Sequence, residues 1–121
     1  MSLAKVFYNL EKNNSAIGHF NVSNLETFEM VVKAGRDSKV PIIVGVSEGA
    51  IKHAGIEFFL WAKQYFYNKY KSEFYLHLDH GRDLGILVDA IKGGFDSIMI
   101  DASHESFSEN VFLTKKIVNI A

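Results

Sequence analysis

Residues 41–46 read Pro-Ile-Ile-Val-Gly-Val. The run is apolar throughout, too short for a helix and without the alternation of a half-exposed strand. It therefore predicts a strand covered on both faces, the kind found in parallel sheets. On its C-terminal side Ser47-Glu48-Gly49-Ala50 breaks the run. Phe59, Ala62 and Phe66 then mark the inward face of a helix from about Ile56 to Tyr70. Glu73–Leu78 (EFYLHL) predicts another strand, Asp83 caps a helix through Ile91, and Gly93-Gly94 stops it. Ser97–Ile100 (SIMI) predicts a further strand, and Ser108 caps a helix running to the end. On the N-terminal side Asn24 caps a helix that aligns Leu25, Phe28, Val31, Val32 and Gly35. Ala16–Val22 (AIGHFNV) precedes it as a strand. Before that, Leu3, Val6, Phe7 and Leu10 give one apolar helical face over Ser2–Asn13.

The pattern is one helix followed by four βα units, with strands near 16–22, 41–46, 73–79 and 97–100. Their starts lie 25, 32 and 24 residues apart. Each interval holds a helix, and a parallel crossover needs such a covering element. The fold class is α/β, with all four strands in one parallel sheet.

Composition narrows the function. The chain has 121 residues, 48% apolar, enough to bury one core and too apolar for disorder. A net charge of −1 argues against a nucleic-acid surface. No apolar run approaches the roughly 20 residues of a membrane span, and the N-terminus lacks a secretory signal. With no Cys there is no disulfide framework and no Cys-based zinc site. A soluble, cytoplasmic protein is expected.

Parallel α/β sheets carry their chemistry at the carboxyl ends of the strands. Those ends here read Asn21-Val22-Ser23-Asn24, Ser47-Glu48-Gly49, His77-Leu78-Asp79-His80-Gly81 and Asp101-Ala102-Ser103-His104-Glu105. The opposite ends carry nothing comparable. The sharpest feature is Asp79-His80. A carboxylate beside an imidazole can pair a general base with a metal ligand, or form a buried histidine–aspartate hydrogen bond at a loop. Strand alternation puts His77 and Asp79 on one face and His80 on the other. Asp79 and His80 share a site only if the strand has ended there, and Gly81 would permit that turn. Asp101 stands at the equivalent end of the next strand, as a site carboxylate or as a turn residue. Asn21 and Ser47 suit a substrate hydroxyl or phosphate and are equally ordinary turn formers. His19 reads as an interior residue, His53 as a surface one, and His104 and Glu105 as parts of a solvated loop.

Several segments, in order, carry a resemblance: HFNVSNLET (19–27), PIIVGVSEGAIKHAG (41–55), HLDHG (77–81) and GGFDSIMIDASHESFSEN (93–110). The chain resembles the N-terminal half of a class II, zinc-dependent fructose-bisphosphate aldolase, in the family that also holds tagatose-bisphosphate aldolases. The resemblance implies a (β/α)8 TIM barrel, of which residues 1–121 supply about the first four βα units of a single domain. It implies cleavage of fructose 1,6-bisphosphate to dihydroxyacetone phosphate and glyceraldehyde 3-phosphate, a glycolytic and gluconeogenic reaction. Asp79 would be the catalytic acid/base, His80 a zinc ligand and Asp101 a metal-site carboxylate able to hold a second cation. Asn21 and Ser47 would line the substrate. His19, His53, His77 and His104 match no ligand position. A Schiff-base aldolase would need a strand-end Lys, whereas Lys52, Lys92 and Lys115 fall in helices or loops.

A barrel of this kind takes about 250 residues. The chain is therefore expected to be the front half of a longer homo-oligomeric enzyme, inactive alone, or a non-catalytic half-barrel remnant. Open edges on the first and fourth strands, and an apolar inner face left bare, would drive self-association.

Overall fold

The strands form at the four segments that read as strands, and the computed structural model describes all residues 1–121. In chain order the elements are α1 (Leu3–Lys12), β1 (Gly18–Asn21), α2 (Leu25–Ser38), β2 (Ile42–Ser47), α3 (Glu48–Ala54) and α4 (Ile56–Tyr70). They continue as β3 (Phe74–Gly81), α5 (Leu84–Gly93), β4 (Ser97–Ile100) and α6 (Phe107–Val118). The four strands form one sheet in the order β1-β2-β3-β4, and every neighbouring pair is parallel. No helix is long and apolar enough to cross a membrane.

Two helix starts differ from expectation. The break after β2 is itself a helix, α3. Ser47 caps it by accepting from Ala50 N, and Ala50 and Ile51 bury its short apolar face despite Gly49. The cap of α6 is Ser106, accepting from Glu109 N, two residues before the expected Ser108.

The two faces of the sheet do different jobs. Outward, Ile42, Val44, Val46, Phe74, Leu76 and Leu78 meet the inward stripes of α2, α4 and α5 in one core. Phe28 stacks on Phe66 at 5.4 Å and meets Phe74 edge-on at 5.9 Å. Each such fully buried side chain stabilises the fold by about 1.5–3 kcal/mol. Inward, Ile43 and Tyr75 lie under Leu3 and Val6 of α1, which plugs the amino-terminal end of the sheet. Tyr75 Oη ties down that plug by donating to Glu73 Oε1 (2.6 Å), which also pairs with the chain's terminal amine at 3.0 Å.

Above the plug the inner face turns polar. Register aligns Asn21 with Gly45 and Gly45 with His77, while Ser47 stands opposite Asp79. The expected bare apolar inner face is thus corrected: α1 covers the apolar layer, and the layers beyond it are His, Asn, Ser and Asp. The apolar exposure lies instead toward the edges, where Phe20 on β1 is 49% and Met99 on β4 40% exposed.

Candidate functional site

His80 reaches its neighbours through a backbone irregularity. From Leu78 to Gly81, β3 takes three residue steps while its partner β4 takes two, from Ile98 to Ile100. This one-residue bulge holds His80 at φ +52°, a left-handed conformation that costs a non-glycine residue on the order of 1–3 kcal/mol. The strand therefore does not end before His80, and Gly81 is not the turn residue expected; the bulge does that work. It places His80 Nε2 3.8 Å from Asp79 Oδ1 and His80 Nδ1 3.6 Å from Asp101 Oδ2, both too long for hydrogen bonds. The imidazole is 62% exposed at the mouth of the sheet, between two carboxylates that are only 15% and 6% exposed.

Each carboxylate is held separately. Asp79 Oδ2 accepts a 2.8 Å hydrogen bond from Asn21 Nδ2, across two strand spacings. Asp101 Oδ1 accepts from Ser103 Oγ (2.5 Å) and Ser103 N (3.2 Å), and Oδ2 takes the Arg82 guanidinium through Nε (2.9 Å) and Nη2 (2.8 Å). Those bonds, Ser103 first and Arg82 next, hold the Asp101 carboxyl well below the usual carboxylate range. Asp101 is thus a turn residue and a mouth residue at once, and a cation on Oδ2 would have to displace Arg82. The Ser47 hydroxyl is occupied at the cap of α3, on the rim beside Asp79.

Two features escaped the sequence. Glu48 clamps the loop after β3: its Oε2 accepts from Arg82 N (2.6 Å) and Asp83 N (2.8 Å), and Oε1 pairs with Lys52. The Lys52 ammonium, then the two loop amides, draw its carboxyl down to about 2. The available signal was an acid next to Ser47 at a helix start, where the dipole favours negative charge. The second feature is the contact of His19, exposed on the inner face of the sheet, with His77, whose ring it meets edge-on at 5.2 Å. His77 Nδ1 bonds Ser97 Oγ at 2.7 Å, and burial, followed by the His19 charge, pushes its imidazole pKa down. His53, His104 and Glu105 are exposed, as expected.

One imidazole flanked by carboxylates is a donor set that suits a borderline divalent cation such as Zn2+. His80 would supply the nitrogen, with Asp79 and Asp101 on either side.

Four parallel βα units in sequential order, with an acid–imidazole cluster at the carboxyl ends of the strands, are the arrangement of the first half of a TIM barrel. The chain belongs to the class-II fructose-bisphosphate aldolase family, whose model, "Fructose-bisphosphate aldolase class-II", matches residues 1–121. It is 36% identical over 118 residues to a fructose-bisphosphate aldolase of Helicobacter pylori (strain J99 / ATCC 700824), covering 97% of this chain and 38% of that one. It is 35% identical over 125 residues to a fructose-bisphosphate aldolase of Staphylococcus aureus (strain Mu50 / ATCC 700699), covering 100% of this chain and 43% of that one. The crystal structure of the YdjI aldolase from Escherichia coli K12 superposes with a TM-score of 0.87 at 31% identity. That match covers 98% of this chain and 46% of the other. The chain thus spans about two fifths of the length of these curated relatives.

Proposed function

We propose that this chain supplies the first half of the active site of a zinc-dependent aldolase that cleaves fructose 1,6-bisphosphate to dihydroxyacetone phosphate and glyceraldehyde 3-phosphate. In this reading residues 1–121 are the N-terminal half of one barrel domain, and the remaining ligands and phosphate-binding groups come from its other half. The observation that carries it is the meeting of Asp79, His80 and Asp101 at the mouth of β3 and β4, with Asn21 fixed on Asp79.

His80 would bind the zinc, and Asp101 would contribute a carboxylate to it or to a second cation. Zinc, when bound, supplies Lewis-acid polarisation of the substrate ketone. Asp79 takes the proton of the C4 hydroxyl as the C3–C4 bond breaks, and the bonding electron pair stays with the dihydroxyacetone phosphate fragment. In the condensation direction Asp79 returns that proton. Asn21 occupies Oδ2 of Asp79, which leaves Oδ1 for the proton. Ser47, on the rim, faces the substrate.

The test is cleavage of fructose 1,6-bisphosphate by a complete barrel carrying these 121 residues. Activity should vanish on chelation, return with Zn2+, and be lost in Asp79→Ala with zinc still bound. Cleavage that survives chelation would overturn the reading.

A further inference from the structure

Beside the His80 centre, and sharing Asp79 with it, we propose that His19, His77 and Asp79 form a second transition-metal site on the inner face of the sheet, one that takes Asp79 out of its acid/base role while it is filled. It would take an imidazole-seeking divalent ion of the Zn2+, Co2+, Ni2+ and Cu2+ group rather than Mg2+ or Ca2+. One ligand atom from each of the three residues lies within 4.8 Å of the others. About a tetrahedral ion with bonds of roughly 2.1 Å, ligand atoms sit roughly 3.4 Å apart. Closure therefore requires about 1.4 Å of inward movement, within reach of side-chain rotation for the exposed His19.

The surroundings fit an ion independently of that cluster. Gly45 lies on β2, between the strand bearing His19 and the strand bearing His77 and Asp79. A Cβ at Gly45 would stand 2.0 Å from His19 Nε2 and 2.3 Å from Asn21 Oδ1, so the missing side chain is what lets these two donors lie directly over β2. Asn21 spends its Nδ2 on Asp79, leaving Oδ1 as a further neutral oxygen above Gly45. His77 is oriented by its Nδ1 bond to Ser97 Oγ, which leaves Nε2 free to coordinate. Metal-bound histidines are commonly fixed through their second nitrogen in this way. Two imidazoles meeting edge-on at 5.2 Å, with one carboxylate and one amide oxygen, make an N2O2 set. Imidazole suits Zn2+, Cu2+ and Ni2+, whereas Mg2+ and Ca2+ prefer all-oxygen shells.

The experiment is a Co2+ titration of the 121-residue chain, followed by visible absorption, with far-UV circular dichroism on every variant. The wild type should bind one Co2+ with the intense bands of a four-coordinate ion. His19→Gln should weaken binding at least tenfold. Gly45→Ala, which keeps every donor but pushes His19 and Asn21 off β2, should do the same. His80→Gln should leave this binding unchanged, so this site and the proposed zinc centre fail separately. Excess Mg2+ should not compete. An absence of Co2+ binding, a His19→Gln affinity equal to wild type, or loss of binding in His80→Gln alone would overturn the proposal.

Discussion

Asn21 stands where its role can be separated from that of Asp79. Its amide donates to a carboxylate that is only 15% exposed, at 2.8 Å. A hydrogen bond to a charged group is worth about 1.5–3 kcal/mol. Losing it in Asn21→Ala should slow turnover roughly 10- to 150-fold, at about 1.4 kcal/mol per factor of ten. Asp79→Ala removes the acid/base outright and should cost roughly 10²–10⁴. If Asn21 works by fixing Asp79, the double variant should be no slower than Asp79→Ala, a strongly non-additive cycle. Initial rates of fructose 1,6-bisphosphate cleavage by the complete barrel, at saturating zinc, measure all four corners. Additive losses would refute this reasoning and return Asn21 to direct substrate contact.

Three further outcomes are expected. In the complete barrel, His80→Ala should lose zinc, while Asp79→Ala should retain it, as read by metal analysis after gel filtration. Glu48 has its carboxyl drawn from an ordinary 4.5 to about 2 in the fold, so its stabilisation is complete above pH 4.5 and is lost as pH falls toward 2. Urea midpoints of Glu48→Gln should then lie below wild type at neutral pH, and the gap should close across that window. The 121-residue chain by itself should self-associate, because β1 and β4 are unpaired edges without Pro or Lys and carry the exposed Phe20 and Met99. A stable, cooperatively unfolding monomer at micromolar concentration by light scattering would refute this.

The strand positions and their parallel order were legible because PIIVGV, EFYLHL and SIMI are local, apolar signals bounded by caps and glycines. The alternation of β3 was equally legible, and it put His77 and Asp79 together on the inner face, where the structure has them. α3 was lost for a local reason: Gly49 reads as a breaker, and the Ser47 cap and the burial of Ala50 and Ile51 override its cost. The Glu48 clamp was hidden because it joins residues 34 and 35 positions apart, and no periodicity encodes such a contact.

The bulge at His80 is a different kind of omission. A reader of sequence assigns backbone freedom to glycine, and Gly81 stood next in line. The structure instead puts the left-handed residue at His80 and keeps Gly81 in the ladder, paired with Ile100. A Cβ on Gly81 would lie 2.8 Å from Leu87 of α5, so this glycine is needed for close packing of helix on strand. With Gly81 committed to packing, the extra residue falls on the position before it. That residue loses the ladder's alternation and turns to the mouth, between Asp79 and Asp101. A strained histidine persists only where the surroundings over-determine it, and here the Glu48 clamp on Arg82 and Asp83 fixes the chain two and three residues downstream. The packing need of one glycine and the grip of one distant glutamate together explain how adjacent residues of a strand come to face the same site.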